Sequence, residues 1–339
     1  MRRRLLVGLL IVLALIAGGL TAYQRIAVSR LKSGFADWAR AARSEGWQVS
    51  SGPITAGGWP REAVIEMPDF RLASAASGGP AWESQRLRLV LDLFRPNHLT
   101  VEAQGTQRAG ISAGVQHPFS TRALQLELPF KPLPGAPLAL LTATGLRAPQ
   151  AEISIGSLRL AILAVEPALN FRVAISEVEL PGTQPWPLGD HIADAQADAV
   201  LSGTLPAPGP LPVLARAWQT EGGQLRITDA TVRWGPLDAG IVATAGLDAG
   251  LQPVASGTAS LTGYAPALDL MAARHAMSND GALAAKAVLS LLAQTPPGGG
   301  APRVEAPFTL RDQVLSVGPI PLVRVRPIIW AAATGPGSP

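Results

Sequence analysis

The sequence predicts a mainly β protein: an N-terminal transmembrane helix followed by an antiparallel β-rich periplasmic body with a few packed helices. Three observations predict it. Leu5 to Leu20 carries no charged or strongly polar residue, and Thr21, Ala22 and Tyr23 extend the run to nineteen residues. Beyond Trp47 the chain becomes a series of short segments that alternate apolar and polar residues, the pattern of strands joined by turns. Gly and Pro are abundant, at 35 and 31 residues, yet apolar strands interrupt them throughout, so they read as turns and not as disorder.

At about 1.5 Å of rise per residue the apolar run reaches about 28 Å, close to the roughly 30 Å hydrocarbon core of a bilayer. Arg2, Arg3 and Arg4 precede it and favour a cytoplasmic N-terminus. Arg25, Arg30 and Lys32 follow it, and Tyr23 stands where an interfacial aromatic belongs. A cleaved signal peptide is the alternative, with Ala17-Gly18-Gly19 at cleavage spacing, but the run is longer than a signal core and no Ala-x-Ala follows. Both readings put the rest of the chain outside the cytoplasm. The expected organisation is a cytoplasmic tail over 1–4, an anchor over 5–23 and a juxtamembrane amphipathic helix over 24–46. An N-terminal β-rich half follows over 47–190, then a C-terminal β-rich half with helices over 191–330 and a disordered tail over 331–339. The expected location is the inner membrane, single-pass, with the body in the periplasm.

The formal charge of +4 is unevenly spread. Residues 1–50 hold eight basic and two acidic groups, and the remainder holds 20 basic and 22 acidic. The basic excess therefore belongs to the membrane end, where it can meet anionic headgroups. A near-neutral body offers no phosphate-binding face, so nucleic acid is not an expected partner. The chain has no cysteine, which removes disulfides, thiolate metal sites and cysteine nucleophiles together.

Taken in order, Ser29 to Gly46 reads as a helix: Leu31, Phe35, Trp38 and Ala42 recur on one face and Gly46 is a stop. It lies either on the bilayer surface or against the first strands. Trp47 to Ser50 alternates, and Gly57-Gly58-Trp59-Pro60 is a turn. Ala63 to Met67 and Phe70 to Leu72 are strands. Gln85 to Phe94 is the clearest, with Leu87, Leu89, Leu91 and Leu93 on one face. Leu99 to Ala103 and Ala123 to Leu128 repeat the pattern. Proline-rich Phe130 to Ala139 is a candidate crossing between layers. Ala151 to Ile155, Leu158 to Leu163 and Phe171 to Val178 continue the strands. Prolines in 181–189 and 207–212 mark a boundary between two sub-structures, with a short helix, His191 to Ala199, between them. Leu211 to Trp218 reads as a helix, Gln224 to Trp234 and Ala239 to Asp248 as a hairpin, and Ala255 to Thr262 as a strand. Ala265 to Ala276 and Gly281 to Gln294 read as helices, the second mostly buried because its polar stripe is narrow. Phe308 to Arg311 and Val314 to Val317 close the fold. Asp229 to Leu237 and Asp312 to Ile320 echo one another, each with a Gly-Pro ending, as a recurring β-unit or as shared hairpin chemistry.

No catalytic, cofactor-binding or metal-binding residue is assigned, no cofactor is expected, and the chain is not expected to be an enzyme. His98, His117, His191 and His275 are scattered and lack metal spacing. No nucleophile elbow, phosphate loop or dinucleotide fingerprint is present, and Gly298-Gly299-Gly300 reads as a linker. Glu177 and Glu179, two apart on a strand, read as an exposed face. The eight tryptophans either line an apolar ligand groove or pack in core and turns.

Trp38, Gly46-Trp47, Gly57-Gly58-Trp59-Pro60 and Arg95-Pro96-Asn97-His98-Leu99, in that order behind an anchor, resemble the DUF2125 family of uncharacterised, membrane-anchored alphaproteobacterial proteins. The Gly-Pro endings at Gly235-Pro236 and Gly318-Pro319 match its style, while Trp59 replaces an expected phenylalanine. The resemblance implies no catalytic residues. The architecture is more loosely similar to that of AsmA-like and LptC-like envelope proteins. The expected function is a binding or scaffold protein of the cell envelope that accommodates lipid between apolar sheet faces. The alternative is a structural protein that recruits another envelope protein and takes no small ligand. Expected partners are the inner membrane and lipid or another envelope protein.

Overall fold

The computed structural model describes residues 2–75, 79–112, 115–131, 135–165, 168–182, 185–203, 211–295, 301–318 and 320–330. Side chains are described from Leu15 onward, apart from 111, 112, 115, 164, 165 and 320–322. The expected tail over 331–339 and the Gly298–Gly300 linker lie outside these residues.

Helix α1 runs unbroken over Arg2–Ser44, about 65 Å at helical rise. The segments expected as an anchor and a juxtamembrane helix are thus parts of one helix. Most of the apolar run, up to Ala14, lies outside the described side chains, and among the described residues no helix is long and apolar enough to cross a membrane. Gly46, at φ 89, ends the helix in a conformation that favours glycine. Ala27, Val28, Ala39 and Ala42 are buried, and Leu31 and Phe35 pack beside them. Those positions share one helical face, and alanine lets the helix approach the sheet closely.

Everything else is built on one antiparallel sheet of seventeen strands. The first strands are β1 (Trp47–Ser50), β2 (Thr55–Gly57), β3 (Glu62–Ser74), β4 (Ala81–Asp92), β5 (His98–Ser112), β6 (Val115–Ser120) and β7 (Ala123–Pro129). Then come β8 (Ala139–Ala148), β9 (Ile153–Val165), β10 (Ala168–Glu179) and β11 (His191–Ser202). After α2 (Leu211–Thr220) follow β12 (Gln224–Trp234), β13 (Leu237–Leu247) and β14 (Pro253–Thr262). Helices α3 (Tyr264–Ala273) and α4 (Asn279–Leu292) precede β15 (Val304–Arg311), β16 (Val314–Val317) and β17 (Ile320–Arg324). From β3 onward the strands pair largely in chain order; β1 and β2 both join β3, and β6 sits as a side arm between β5 and β8.

The register makes the sheet two-faced. Ile65, Leu89, Val101, Leu126, Leu141 and Leu160 stand opposite one another from β3 to β9. The same row continues through Val173, Ala197, Ala230, Ile241, Ala259 and Ala306 on β10 to β15. The neighbouring row runs from Met67, Leu87, Ala103 and Leu124 to Ala239, Leu261 and Val304, again apolar at every strand. Between them, on the opposite face, lie Glu66, Arg88, Glu102, Gln125, Thr142 and Arg159. Directly opposed residues in a ladder share a face and side chains alternate along each strand, so one face is apolar and the other polar.

Several expectations change in the folded chain. Ala63–Met67 and Phe70–Leu72 belong to one strand, β3. Asp69 between them takes φ 48, which switches the inward positions from odd to even numbers. His191 to Ala199 is strand, not helix: Asp194, Gln196 and Asp198 alternate with Ala195, Ala197 and Ala199, a period of two that alanine hides. The segment from Phe130 to Ala139 joins neighbouring strands and crosses no layer; residues 132–134 lie outside the described set. Around the expected boundary near 181–212, β10 pairs with β11 and β11 with β12, which leaves the boundary itself an expectation; residues 183, 184 and 204–210 lie outside the described set. Helix α4 buries only Ala282 and leaves Leu283, Val288, Leu291 and Leu292 exposed. The echo holds at its turns, with Gly235 at φ 57 and Gly318 at φ 55, but Asp229 lies within β12 while Asp312 is in a turn. Pro319 lies outside the described set.

Candidate functional site

The buried core is gathered at one end of the sheet, between α1 and β1, β3, β4 and β5. Ala63, Ile65 and Met67 are fully buried there, and Phe70 is 2% exposed. Beside that packed zone the helix and the sheet part to leave a cavity of about 830 Å³, within the range of natural ligand sites. The sheet supplies Phe70 and Leu72 from β3, Leu87, Leu89 and Leu91 from β4, and Leu99 and Val101 from β5. Leu126, Leu128 and Phe130 carry the lining to β7 and just beyond it. These are the alternate residues that the sheet's inner rows present.

The helix supplies Ile26, Arg30, Gly34 and Trp38, a row at intervals of four, with Tyr23 at its start. That row borders the packed face. Gly34 carries no β-carbon, and one placed there would meet nothing within 4 Å, so this position opens the space. One end is walled by aromatic rings. Phe35 lies 5.7 Å from Trp38 and 6.5 Å from Phe70, and Phe70 lies 5.6 Å from Trp82, edge to face. Arg30 is the one charged residue of the lining and is exposed, with no ion pair among the described residues. The site is therefore an oily slot with a cation at its margin.

The paired charges of β3, β4 and β5 sit on the outer face of the sheet. Arg88 meets Glu102 at 2.6 Å and Arg86 meets Glu66 at 3.0 Å. At the end of β4, Asp92 accepts hydrogen bonds from the backbone N–H of Phe94 at 2.8 Å and of Arg95 at 3.3 Å. These bonds, with Arg61 beside it, hold the Asp92 carboxyl below its ordinary value. Two contacts lash the helix to the Gly57–Pro60 turn: the Gln24 side-chain amide donates to the Gly57 carbonyl at 3.0 Å, and the Trp59 indole N–H donates to the Thr21 hydroxyl at 3.2 Å.

The remaining candidates stay apart. His98 contacts Asn97 and His117 contacts Gln150, and His191 lies 3.5 Å from Glu177. Among the described residues no group of three His, Asp or Glu could hold a metal ion. Glu177 takes φ 52, so the plain alternation that would place it with Glu179 is broken. Of the tryptophans, Trp38 and Trp82 line the cavity, while Trp186 and Trp234 pack on one another at 6.3 Å. Trp218 packs beside Gly223. Arg30 was legible only as a polar position, and Gly34 carried no signal of its own. The signal that joins them is the four-residue spacing from Ile26 to Trp38, beside the packed face.

No curated protein and no solved structure matches the chain. A family model, described as an uncharacterized protein conserved in bacteria, matches residues 26–326, which take in α1 from Ile26, the cavity apart from Tyr23 and the whole sheet. The chain belongs to the DUF2125 family.

Proposed function

We propose that the protein is an inner-membrane-anchored, periplasmic binding protein of the cell envelope whose cavity under α1 takes an acyl chain of an anionic phospholipid. The observation that carries this reading is the cavity itself: apolar walls from four strands and a helix, with Arg30 at the margin. An apolar slot gains free energy by removing hydrocarbon from water, at about 0.8 kcal/mol per methylene. A guanidinium at its edge suits a phosphate bidentately. The chain acts by binding and holding, with no chemical step. The apolar run before Leu20, continuous with the cavity helix, supports a bilayer as the source of the ligand.

The test uses the full chain, transferred from detergent into a lipid-free amphipathic polymer and titrated with monomeric phosphatidylglycerols of increasing chain length. Each pair of added methylenes should tighten binding roughly fifteenfold until the cavity is filled. Absence of binding, or affinity indifferent to chain length, contradicts the reading. A reporter fused after Pro339 that works only in the cytoplasm contradicts the location.

One observation favours a second reading, partner recruitment. Leu283, Ala284, Ala287, Val288, Leu291 and Leu292 make an exposed apolar face on α4, with Leu291 at 87% exposure. Crosslinking in cells from that face to another envelope protein, with no lipid in the cavity, would support it over the first.

A further inference from the structure

We infer that the apolar rows form one path along which acyl chains pass from the cavity under α1 across the middle of the sheet toward α3 and α4. This rests on the lipid reading of the cavity and extends it from a holding site to a conduit. The cavity walls Leu89, Val101 and Leu126 follow the buried Ile65 in a row that continues, strand by strand, through Leu160, Val173, Ala230 and Ile241. No polar residue interrupts either row between β3 and β15.

The rows are not sealed. Helices pack on β1 and β3 at one end and on β13 and β15 at the other, and no comparable helix packing covers β8 to β11 among the described residues. Leu160, Val173 and Ala197 are only half-buried, whereas Ile65 at the α1 end is fully buried and Val304 at the α4 end is 2% exposed. A continuous apolar face left open in this way marks a surface that something apolar covers.

Two arguments select acyl chains as the occupant. The row crosses twelve strands, and at about 4.8 Å per strand it is ~53 Å long. One acyl chain reaches about half of a roughly 30 Å bilayer core, so the path exceeds a single bound chain several-fold. A polypeptide strand could not join the middle by sheet extension, because every strand from β8 to β14 is paired on both sides. The path is also continuous with the slot that carries Arg30 at its margin.

The experiment places a photoreactive benzophenone side chain, one position at a time, in the full chain in its native membrane. Leu128 reports the cavity, Val173 the middle and Ile241 the far end, where it is 41% exposed. Irradiation and mass spectrometry should find phospholipid on all three. Adding Ala197→Asp, which puts a carboxylate across the row between the last two stations, should cut lipid labelling at Ile241 by at least about tenfold. Labelling at Leu128 should persist and shows that the variant is folded; Leu160→Glu, on the near side of Val173, repeats the block at another strand. Phospholipid at Leu128 with none at Val173 and Ile241 overturns the conduit and leaves the cavity reading standing. Protein adducts at the two distant stations, or Ile241 labelling indifferent to both charges, overturn it as well. No lipid at Leu128 overturns the cavity reading and the conduit together.

Discussion

Gly34 controls the cavity by what it lacks. Gly34→Leu would project a side chain into open space and replace glycine by a better helix former. Thermal stability should hold or rise, by up to about 1 kcal/mol, while phospholipid binding falls at least tenfold; a variant that binds normally would show that the space is not the site. Phe70 makes the opposite case. It is 2% exposed and joins Phe35 to Trp82, so Phe70→Ala should cost about 3–5 kcal/mol in denaturant unfolding. Asp92 supplies a pH dependence. Its folded value is depressed, chiefly by the Phe94 N–H bond. The stability it contributes is therefore fully present above the ordinary aspartate value of about 3.9 and is lost as pH falls through the lower folded value. Amide exchange at Phe94 and Arg95 should accelerate as pH falls through that depressed value, and Asp92→Asn should remove that step.

The helix and the strands differ in how much of them could be read before folding. Strand β4 was legible because leucine stands at every second position from Leu87 to Leu93, with Arg88, Val90 and Asp92 between, and a period of two has no other solution. Strand β11 was not, because alanine suits helix and inner row alike; its assignment depends on β10 and β12 pairing with it on either side. The break foreseen in β3 is a real irregularity at Asp69, but it turns the side chains without ending the pairing. The cavity was legible on its sheet side, as leucine faces, and hidden on its helix side, because which residues of α1 touch the sheet depends on how the helix lies across it. Helix α4 shows the reverse failure. A narrow polar stripe implied burial, yet Lys286 turns to pair with Asp269 and the apolar side faces out. Leu283→Lys with Leu291→Lys should accordingly shift stability by less than about 1 kcal/mol, and a large loss of stability in urea would show that α4 is covered within the chain itself.

The molecule as a whole is an elongated economy of burial: one packed end, a long half-covered face and a second, smaller helical cover. Stability should follow that distribution. Amide exchange should be slowest in β3, β4 and β5, where α1 seals the core, and faster in β9 to β11, over which no helix packs comparably among the described residues. Uniform protection along the sheet would mean that the middle is closed by some contact among copies of the chain. The most direct measurement of the central claim is native mass spectrometry of the full chain, extracted in mild detergent from the cells that make it. The account predicts a species heavier by one phospholipid or more for the natural chain and a bare species for Gly34→Leu. A natural chain that flies bare, with the same mass distribution as the variant, would contradict it.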